Sequence, residues 1–180
     1  MLDAAKKGEF GITEKIVESL FTRNFNEIIS ISNTLLLGLV DRLSMWGPGT
    51  ILGDVMNDSL PLMKMYGNYA SNYEGAAVLV TELLKKEQFT LFMAQGDRSD
   101  ARLRSLMAEP FQRIPRYPLL LAELVKNTTE EHPDFAALSK ALVKAKQVAD
   151  LVNSAIMVAA NATKLLSLQE MLGIEVCHNS

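Results

Sequence analysis

Residues 109–127, EPFQRIPRYPLLLAELVKN, decide the fold of this chain. Proline lacks a backbone donor and its ring clashes with the preceding helical turn. Pro115 and Pro118 therefore predict that a helix is bent or restarted within this segment. We expect an apolar helix after them, with the guanidinium groups of Arg113 and Arg116 displayed at its entry.

A run of leucines follows the two prolines and predicts a buried helix face. Leu119, Leu120 and Leu121 are consecutive, which is not typical of a solvated basic patch. Leu120 and Leu124 are four residues apart and therefore lie on the same side of a helix. We expect that side, with Leu120 and Leu124 on it, to face the core.

Composition limits the class of protein. The 180 residues are enough for one domain with a sizeable core, and 48% of them are hydrophobic, which argues against disorder. The net charge of -3 argues against nucleic acid as a partner, because binding it requires a positive face.

The sequence also predicts a soluble cytoplasmic domain with no transmembrane segment. Residues 1–10 contain no apolar stretch that could act as a secretory signal. Apolar runs such as residues 155–160 are far shorter than the roughly 20 residues of a membrane span. Cys177 is the single cysteine, so no intrachain disulfide can form, which fits a reducing compartment.

Apolar residues at three- and four-residue spacing predict helices along the whole chain. One helical stripe runs from a cap at Thr13 to Leu43, and the Gly-Pro-Gly turn at 47–49 follows it. A second helical region covers about residues 51–94, with breaks near Pro61 and around 85–88. The last helix covers about 134–160. Because no alternating apolar and polar run appears, we expect an all-α, elongated multi-helix bundle.

Three tyrosines in the second helical region share one predicted face. Tyr66, Tyr69 and Tyr73 are three and four residues apart. We interpret them as core residues whose hydroxyl groups reach hydrogen-bond partners.

Searches for catalytic motifs find little in the sequence. His132 and His178 have no second ligand at metal spacing, so we expect no metal site. No phosphate-binding glycine motif occurs, so we expect no bound nucleotide and no cofactor. We therefore expect a protein without covalent chemistry of its own.

Arg113 and Arg116 have two interpretations from sequence alone. Arginine side chains can clamp carboxylates or helix ends within a domain, because the guanidinium group donates a fixed fork of hydrogen bonds. They can equally form a docking surface for a partner.

Residues 109–127 closely resemble the third conserved region of the Dbl-homology (DH) domain. This domain is the catalytic domain of guanine nucleotide exchange factors for Rho-family GTPases. Residues 51–76 resemble the second conserved region, and residues 129–153 resemble the long last helix. The resemblance covers roughly residues 12–160 and implies an exchange factor whose partner is a small GTPase of the Rho, Rac or Cdc42 type.

The resemblance also implies a GTPase-binding surface. The family places a basic residue against the GTPase at the position of Arg116. Asn153 follows 37 positions later, and the family has an asparagine at that separation which contacts a switch region of the GTPase. We add Gln112 and Arg113 to this surface, and for Arg113 we favour a structural role.

Two departures from the family pattern affect the expected activity. No residue before Ile12 resembles the helix of the first conserved region, whose glutamate engages switch 1. Glu109 stands where the family usually has lysine. We therefore expect weak exchange by these 180 residues, together with self-association through an uncovered apolar stripe. The alternative is a non-catalytic helical interaction module.

The same resemblance suggests a division of the chain. Residues 1–11 would be an N-terminal extension and residues 12–163 the DH-like helical domain. Residues 164–180 would begin a linker towards a pleckstrin-homology domain that the sequence does not contain.

Overall fold

The computed structural model describes residues 1–22, 24–95 and 99–172, except for the side chains of Leu2 and Glu170. Every regular element in these residues is a helix, and the predicted all-α bundle is confirmed. The α-helices are α1 Leu2–Lys7, α2 Glu14–Phe21, α3 Phe25–Ser44, α4 Gly53–Ser59, α5 Tyr66–Leu84, α6 Glu87–Ala94, α7 Asp100–Arg113, α8 Arg116–Lys126 and α9 Phe135–Leu172. Two short 3-10 helices cover Glu9–Gly11 and Leu60–Met65.

Helix α9 is the spine of the bundle. It has 38 residues and continues well beyond the predicted end near residue 160. Helices α4, α5 and α8 all pack against it. The side chains that α9 buries repeat every three or four residues, as expected for a helix with neighbours along one side. They are Leu138, Ala141, Ala145, Val148, Ala149 and Val152.

The first turn of α9 is fixed to α4 by a buried carboxylate. Asp134 is 2% exposed and accepts hydrogen bonds from the backbone N–H groups of Leu52, at 2.7 Å, and Gly53, at 2.9 Å. A Cβ atom on Gly53 would lie 2.6 Å from the backbone of Ala137. Glycine at position 53 therefore allows the close approach of α4 to α9.

His132 joins the loop before α9 to the loop before α4, next to the Asp134 hydrogen bonds. Its Nδ1 accepts a hydrogen bond from the Asp134 N–H at 3.1 Å. Nε2 must then carry the proton, and it donates to the Pro48 carbonyl at 2.7 Å. Both ring nitrogens are thus engaged with the backbone, whereas His178 lies outside the described residues.

The single helical stripe expected from Thr13 to Leu43 is broken in the structure. Thr13 caps α2 as predicted, because its hydroxyl accepts from the Ile16 N–H. The helix then ends at Thr22, whose φ of 55° is unfavourable for a β-branched residue. The Asn24 side chain donates to the Met65 carbonyl at 3.1 Å, so a contact distant in sequence fixes the break.

The predicted breaks at Pro61 and around 85–88 are confirmed, because α4, a 3-10 turn, α5 and α6 follow one another there. A second apolar cluster fills this end of the bundle between α2, α5, α6 and α7. Ala4 and Ala5 of α1 are also buried in it, so residues of the expected N-terminal extension pack into the domain. The division of the chain at residues 12 and 163 stays a prediction.

The tyrosines of α5 are core residues, as predicted. Tyr66 and Tyr69 are buried and Tyr73 is half-buried. The Tyr69 hydroxyl donates to the Met107 carbonyl at 2.8 Å, and the Tyr66 hydroxyl is 2.7 Å from the hydroxyl of Ser32. Burial, together with the neighbouring Tyr73, raises the pKa of Tyr69 to about 12.

The expectation that Leu120 and Leu124 face the core is wrong. Leu120 is 56% exposed and Leu124 is 38% exposed, whereas Leu121 is only 2% exposed. Tyr117 and Val125 pack into the core with Leu121. Consecutive helical residues point about 100° apart, so three adjacent leucines cannot all face inwards, and the packing against α9 selects Leu121.

Helix α9 also has the length and composition of a membrane span. Its residues Phe135–Gln169 reach a mean hydropathy of 1.3 in the most apolar window of 18 residues. A single helix of this kind is weak evidence for a span, and only 6% of that window is buried inside the structure. Here the first half of α9 forms the buried seam, and the expected lack of a transmembrane segment stays a prediction.

The packing of α8 predicts opposite outcomes for two neighbouring leucines. Leu121→Ala should lower the free energy of unfolding by about 2–5 kcal/mol, because it removes buried contacts and leaves a cavity. Leu120→Ala, at an exposed position, should change it by about 0.5 kcal/mol or less. Urea unfolding of the two variants measures the difference, and equal destabilisation would show that α8 packs through another face.

Tyr69 predicts a loss of stability at alkaline pH. In the unfolded chain its pKa is near the ordinary 10.0, and in the folded protein it is about 12. Its contribution is therefore complete below pH 10 and is lost as pH rises towards 12. The Tyr69→Phe variant has no such group, so its free energy of unfolding should fall less steeply over this window. An equally steep fall in both proteins would contradict the assignment.

Candidate functional site

The Pro115–Pro118 segment joins α7 to α8, and the candidate site lies around this junction. Helix α7 ends at Arg113, Ile114 is buried at the junction, and α8 restarts at Arg116, as predicted. Pro118 has no N–H, and the Ile114 carbonyl instead accepts from the Tyr117 N–H at 3.2 Å. The buried Ile114 therefore anchors a junction from which both arginines project.

Arg113 is held against the protein surface. Its guanidinium carbon lies 5.4 Å from the centre of the Tyr117 ring, a cation–π geometry. Its Nε is 3.5 Å from the Tyr117 hydroxyl, which is a long hydrogen bond. These contacts agree with the structural role favoured for Arg113, although its side chain remains exposed.

Gln112 and Arg116 are exposed and make no side-chain hydrogen bond or ion pair with any residue in the described ranges. A structural role for Arg116 would need a carboxylate or a helix end within reach of the guanidinium group. The described part of the chain supplies no such partner, so the donors of Arg116 are directed to solvent.

Asn153 lies on the outer side of α9. It follows the fully buried Val152, and its own side chain is exposed. Among the residues that the structure describes, Asn153 has no hydrogen-bond partner. Helices α8 and α9 pack against each other, which brings the helices of Arg116 and Asn153 together, but no hydrogen bond joins the two side chains.

A groove of about 370 Å³ borders the arginine junction on the side of α3. Burial raises the pKa of Tyr66, which lines this groove; the hydrogen bond to Ser32 opposes that shift, Tyr117 adds to it and Arg113 opposes it. Glu109 also lines the groove, four residues before Arg113, and forms no ion pair with it. The groove residues are Phe25, Ile28, Ile29, Ser32, Tyr66, Leu106, Glu109, Pro110, Arg113 and Tyr117.

The sequence interpretation missed the apolar part of this surface. Leu119 and Leu120 are exposed within one turn of Arg116. A signal for this was available, because three consecutive leucines cannot all point to the core of a packed helix. Exposed leucines beside a free guanidinium group are typical of a protein-docking surface, where apolar contacts are combined with charge.

The candidate site presents side chains that can bind a protein partner. In the described residues, no three His, Cys, Asp or Glu side chains are grouped in a way that could hold a metal ion. The surface instead offers the Arg116 cation, the amides of Gln112 and Asn153, and apolar side chains on α8.

The sequence profile of the RhoGEF domain matches residues 1–153, which is most of the chain. The chain is 35% identical over 170 residues to "Guanine exchange factor for Rac 30" of Dictyostelium discoideum, covering 93% of this chain and 10% of that protein. It is 32% identical over 181 residues to "FYVE, RhoGEF and PH domain-containing protein 4" of Rattus norvegicus, covering 97% of this chain and 23% of that protein. The chain belongs to the RhoGEF, or DH, domain family.

Solved structures agree on the fold. The DH/PH domains of PDZ-RhoGEF, crystallised with GTP-γ-S-activated RhoA, superpose with a TM-score of 0.79 at 22% identity. The match covers 94% of this chain and 49% of that one. The DH domain of FARP2 gives a TM-score of 0.64 at 21% identity, with 94% of this chain and 84% of that one covered.

The chain spans between about a tenth and a quarter of the length of these curated relatives. Family membership therefore applies to this domain, and its activity and partners are addressed as proposals below.

Proposed function

We propose that this chain is a guanine nucleotide exchange domain that binds a Rho-family small GTPase and promotes release of GDP. The proposal rests on the exposure of Arg116 and Asn153. Both lie at the positions that the family resemblance assigns to the GTPase interface, and both are exposed, with no hydrogen-bond or ion-pair partner among the residues that the structure describes. A protein partner would supply the acceptors that these side chains lack.

Exchange of this kind is a problem of relative affinity. An exchange factor binds the nucleotide-free GTPase more tightly than the nucleotide-bound form, and linkage requires that it then weakens nucleotide binding by the same factor. No bond in the exchange factor forms or breaks. The requirement is a surface that keeps its shape, which packed helices on a long spine provide.

The residues of the surface have different proposed roles. Arg116 provides a positive charge with several donors, which suits carboxylates or backbone carbonyls on the GTPase. Asn153 can donate and accept at once, which suits the backbone of a switch loop. Gln112 would add a second amide at the junction. Arg113 is a positioning residue in this scheme, because its stacking on Tyr117 supports the start of α8.

The partner is proposed only at the level of the Rho family. The name of one relative mentions Rac, and one structural neighbour was crystallised with RhoA. These names describe those proteins. Regulation of a small GTPase by a soluble, cytoplasmic domain that performs no covalent chemistry is the corresponding proposal for this chain.

The interface assignment predicts selective losses of binding. Arg116→Ala and Asn153→Ala should each weaken binding to a nucleotide-free Rho-family GTPase by about 1–3 kcal/mol, the range of an interface residue that matters. Lys140→Ala, a charge removal elsewhere on α9, is a matched control. Titration calorimetry gives the affinities. Melting temperatures should be unchanged, and a variant that unfolds while residual affinity is unaltered would show a structural role.

The exchange proposal itself predicts a preference for the nucleotide-free GTPase. We expect the 180-residue protein to bind that form roughly 5–150-fold more tightly than the GDP form, the usual size of such coupling. Release of fluorescent GDP from Rho, Rac and Cdc42 tests the same coupling, and the protein should accelerate it, because a factor that prefers the nucleotide-free form weakens nucleotide binding.

Equal affinity for both GTPase forms would overturn the exchange function and support the non-catalytic interaction module. Accelerated release of GDP by the 180-residue protein would support the exchange function. The same panel of GTPases identifies the preferred partner.

A further inference from the structure

We propose that Lys146 and Asp150 extend the GTPase-binding surface along α9, where Lys146 takes an acidic side chain of the GTPase and Asp150 takes a basic one. These two residues are named here the α9 charge pair. The inference rests on the proposed function, because it concerns the same surface as Arg116 and Asn153. It adds to that function the order of charges that a suitable partner carries.

The α9 charge pair lies on the side of the helix that carries Asn153. Lys146, Asp150 and Asn153 are separated by four and three residues, so they follow one another along one side of α9. All three side chains are exposed. Val148 and Val152 point to the core and are buried. The rotation of α9 that buries the valines therefore turns the charge pair outwards together with Asn153.

Helices α4 and α5 pack on a different side of α9. The Lys144 side chain donates to the Asn57 carbonyl of α4 at 2.9 Å. A Cβ atom on Gly67 of α5 would lie 3.0 Å from the Leu151 side chain. Lys144 and Leu151 are seven residues apart and share one side of α9, which is rotated by at least about 100° from the charge pair. The neighbours on that side therefore leave the charge pair uncovered.

Arg116 lies at the same level of the bundle as the α9 charge pair. Helices α8 and α9 pack against each other and are joined by a short connection, so they run antiparallel. Leu124 and Leu138 line one cavity, which fixes a point that the two helices share. Arg116 is eight residues before Leu124, and Lys146 is eight residues after Leu138. Both are therefore about 12 Å from that point.

Neither member of the charge pair is neutralised by the described part of the domain. Their spacing of four residues allows an ion pair on a helix, yet within the described ranges Lys146 and Asp150 form no ion pair with each other or with another residue. Aspartate is a poor helix former except near the start of a helix, and position 150 lies far inside the 38 residues of α9. Asp150 therefore supplies neither a cap nor an ion pair.

The resulting surface presents charges in a fixed order. Arg116 and Lys146 place two cations at one level, and Asp150 follows about 6 Å further along α9. A partner with acidic groups opposite the two cations and a basic group opposite Asp150 is attracted at every point, whereas a partner with the reverse order meets like charges. The surface therefore selects the order of charges on its partner and not merely its net charge.

A charge swap tests this order without changing the net charge. The double variant Lys146→Asp with Asp150→Lys keeps one charge of each sign and the net charge of -3. We expect it to bind the nucleotide-free Rho-family GTPase at least about tenfold more weakly in titration calorimetry, because each exchanged side chain then meets a like charge. The loss should shrink at 1 M salt, where the screening length falls to about 3 Å.

The matched control is the double variant Glu82→Lys with Lys85→Glu. It inverts an exposed ion pair of 2.7 Å at the end of α5 and also leaves the net charge unchanged. The control should keep the affinity of the original protein. Circular dichroism should show that both double variants keep their helices, because all four side chains are exposed.

The outcomes separate this inference from the proposed function. An unchanged affinity in the charge-swapped variant, together with losses in Arg116→Ala and Asn153→Ala, would overturn the inference and leave the proposed function standing. An equal loss in the control, or a loss that does not depend on salt, would show that the order of charges on α9 is not what the GTPase recognises and would overturn it too. Failure of the original protein to bind any of the GTPases would overturn the proposed function and, with it, this inference.

Discussion

The close approach of helices to α9 is the constraint on which the rest of this structure depends. Ala141 and Ala145 keep the spine narrow, and Gly53 allows the backbone of α4 to reach that of Ala137. Asp134 then accepts the N–H groups at the start of α4. Burial of a carboxylate is costly unless it is fully hydrogen-bonded, so this contact fixes the register of α4 against α9.

The packing of helices around α9 determines the geometry of the candidate site. Val152 and Leu121 point inwards, and the rotation of each helix is then settled. Asn153 follows Val152 and is turned outwards, while Arg116 precedes Leu121 by five residues and is also turned outwards. Burial of the two apolar residues therefore places the two polar ones on the surface, without a hydrogen bond between the polar side chains themselves.

Much of the fold could be predicted because most of its helix breaks are set by residues at the breaks themselves. Proline and glycine mark the breaks at Pro61 and Pro115, and helical periodicity marks α5 and α9. The break at Thr22 could not be predicted, because it depends on the bond from Asn24 to Met65, which is distant in sequence. The exposure of Leu120 was missed because a run of three leucines indicates that part of the run faces solvent but not which leucine does. For the site, the family resemblance indicated Gln112, Arg116 and Asn153, whereas the exposure of their side chains and their lack of partners among the described residues required the structure.

The α7–α8 junction has to provide both a rigid binding surface and part of the stability of the domain. An exchange surface must resist deformation. If its side chains become ordered only on binding, the entropy they lose reduces the free energy of binding that is coupled to nucleotide release. The junction meets this demand by burying Ile114 and by stacking Arg113 on Tyr117, while Arg116 has no partner among the residues that the structure describes. Tyr117 also packs against the main core, so the support of the arginine and the stability of the domain share one side chain. The rigidity of the proposed interface is therefore a consequence of core packing. A substitution at Tyr117 should lower both the free energy of unfolding and the affinity for a GTPase, whereas a substitution at Arg116 should lower the affinity alone.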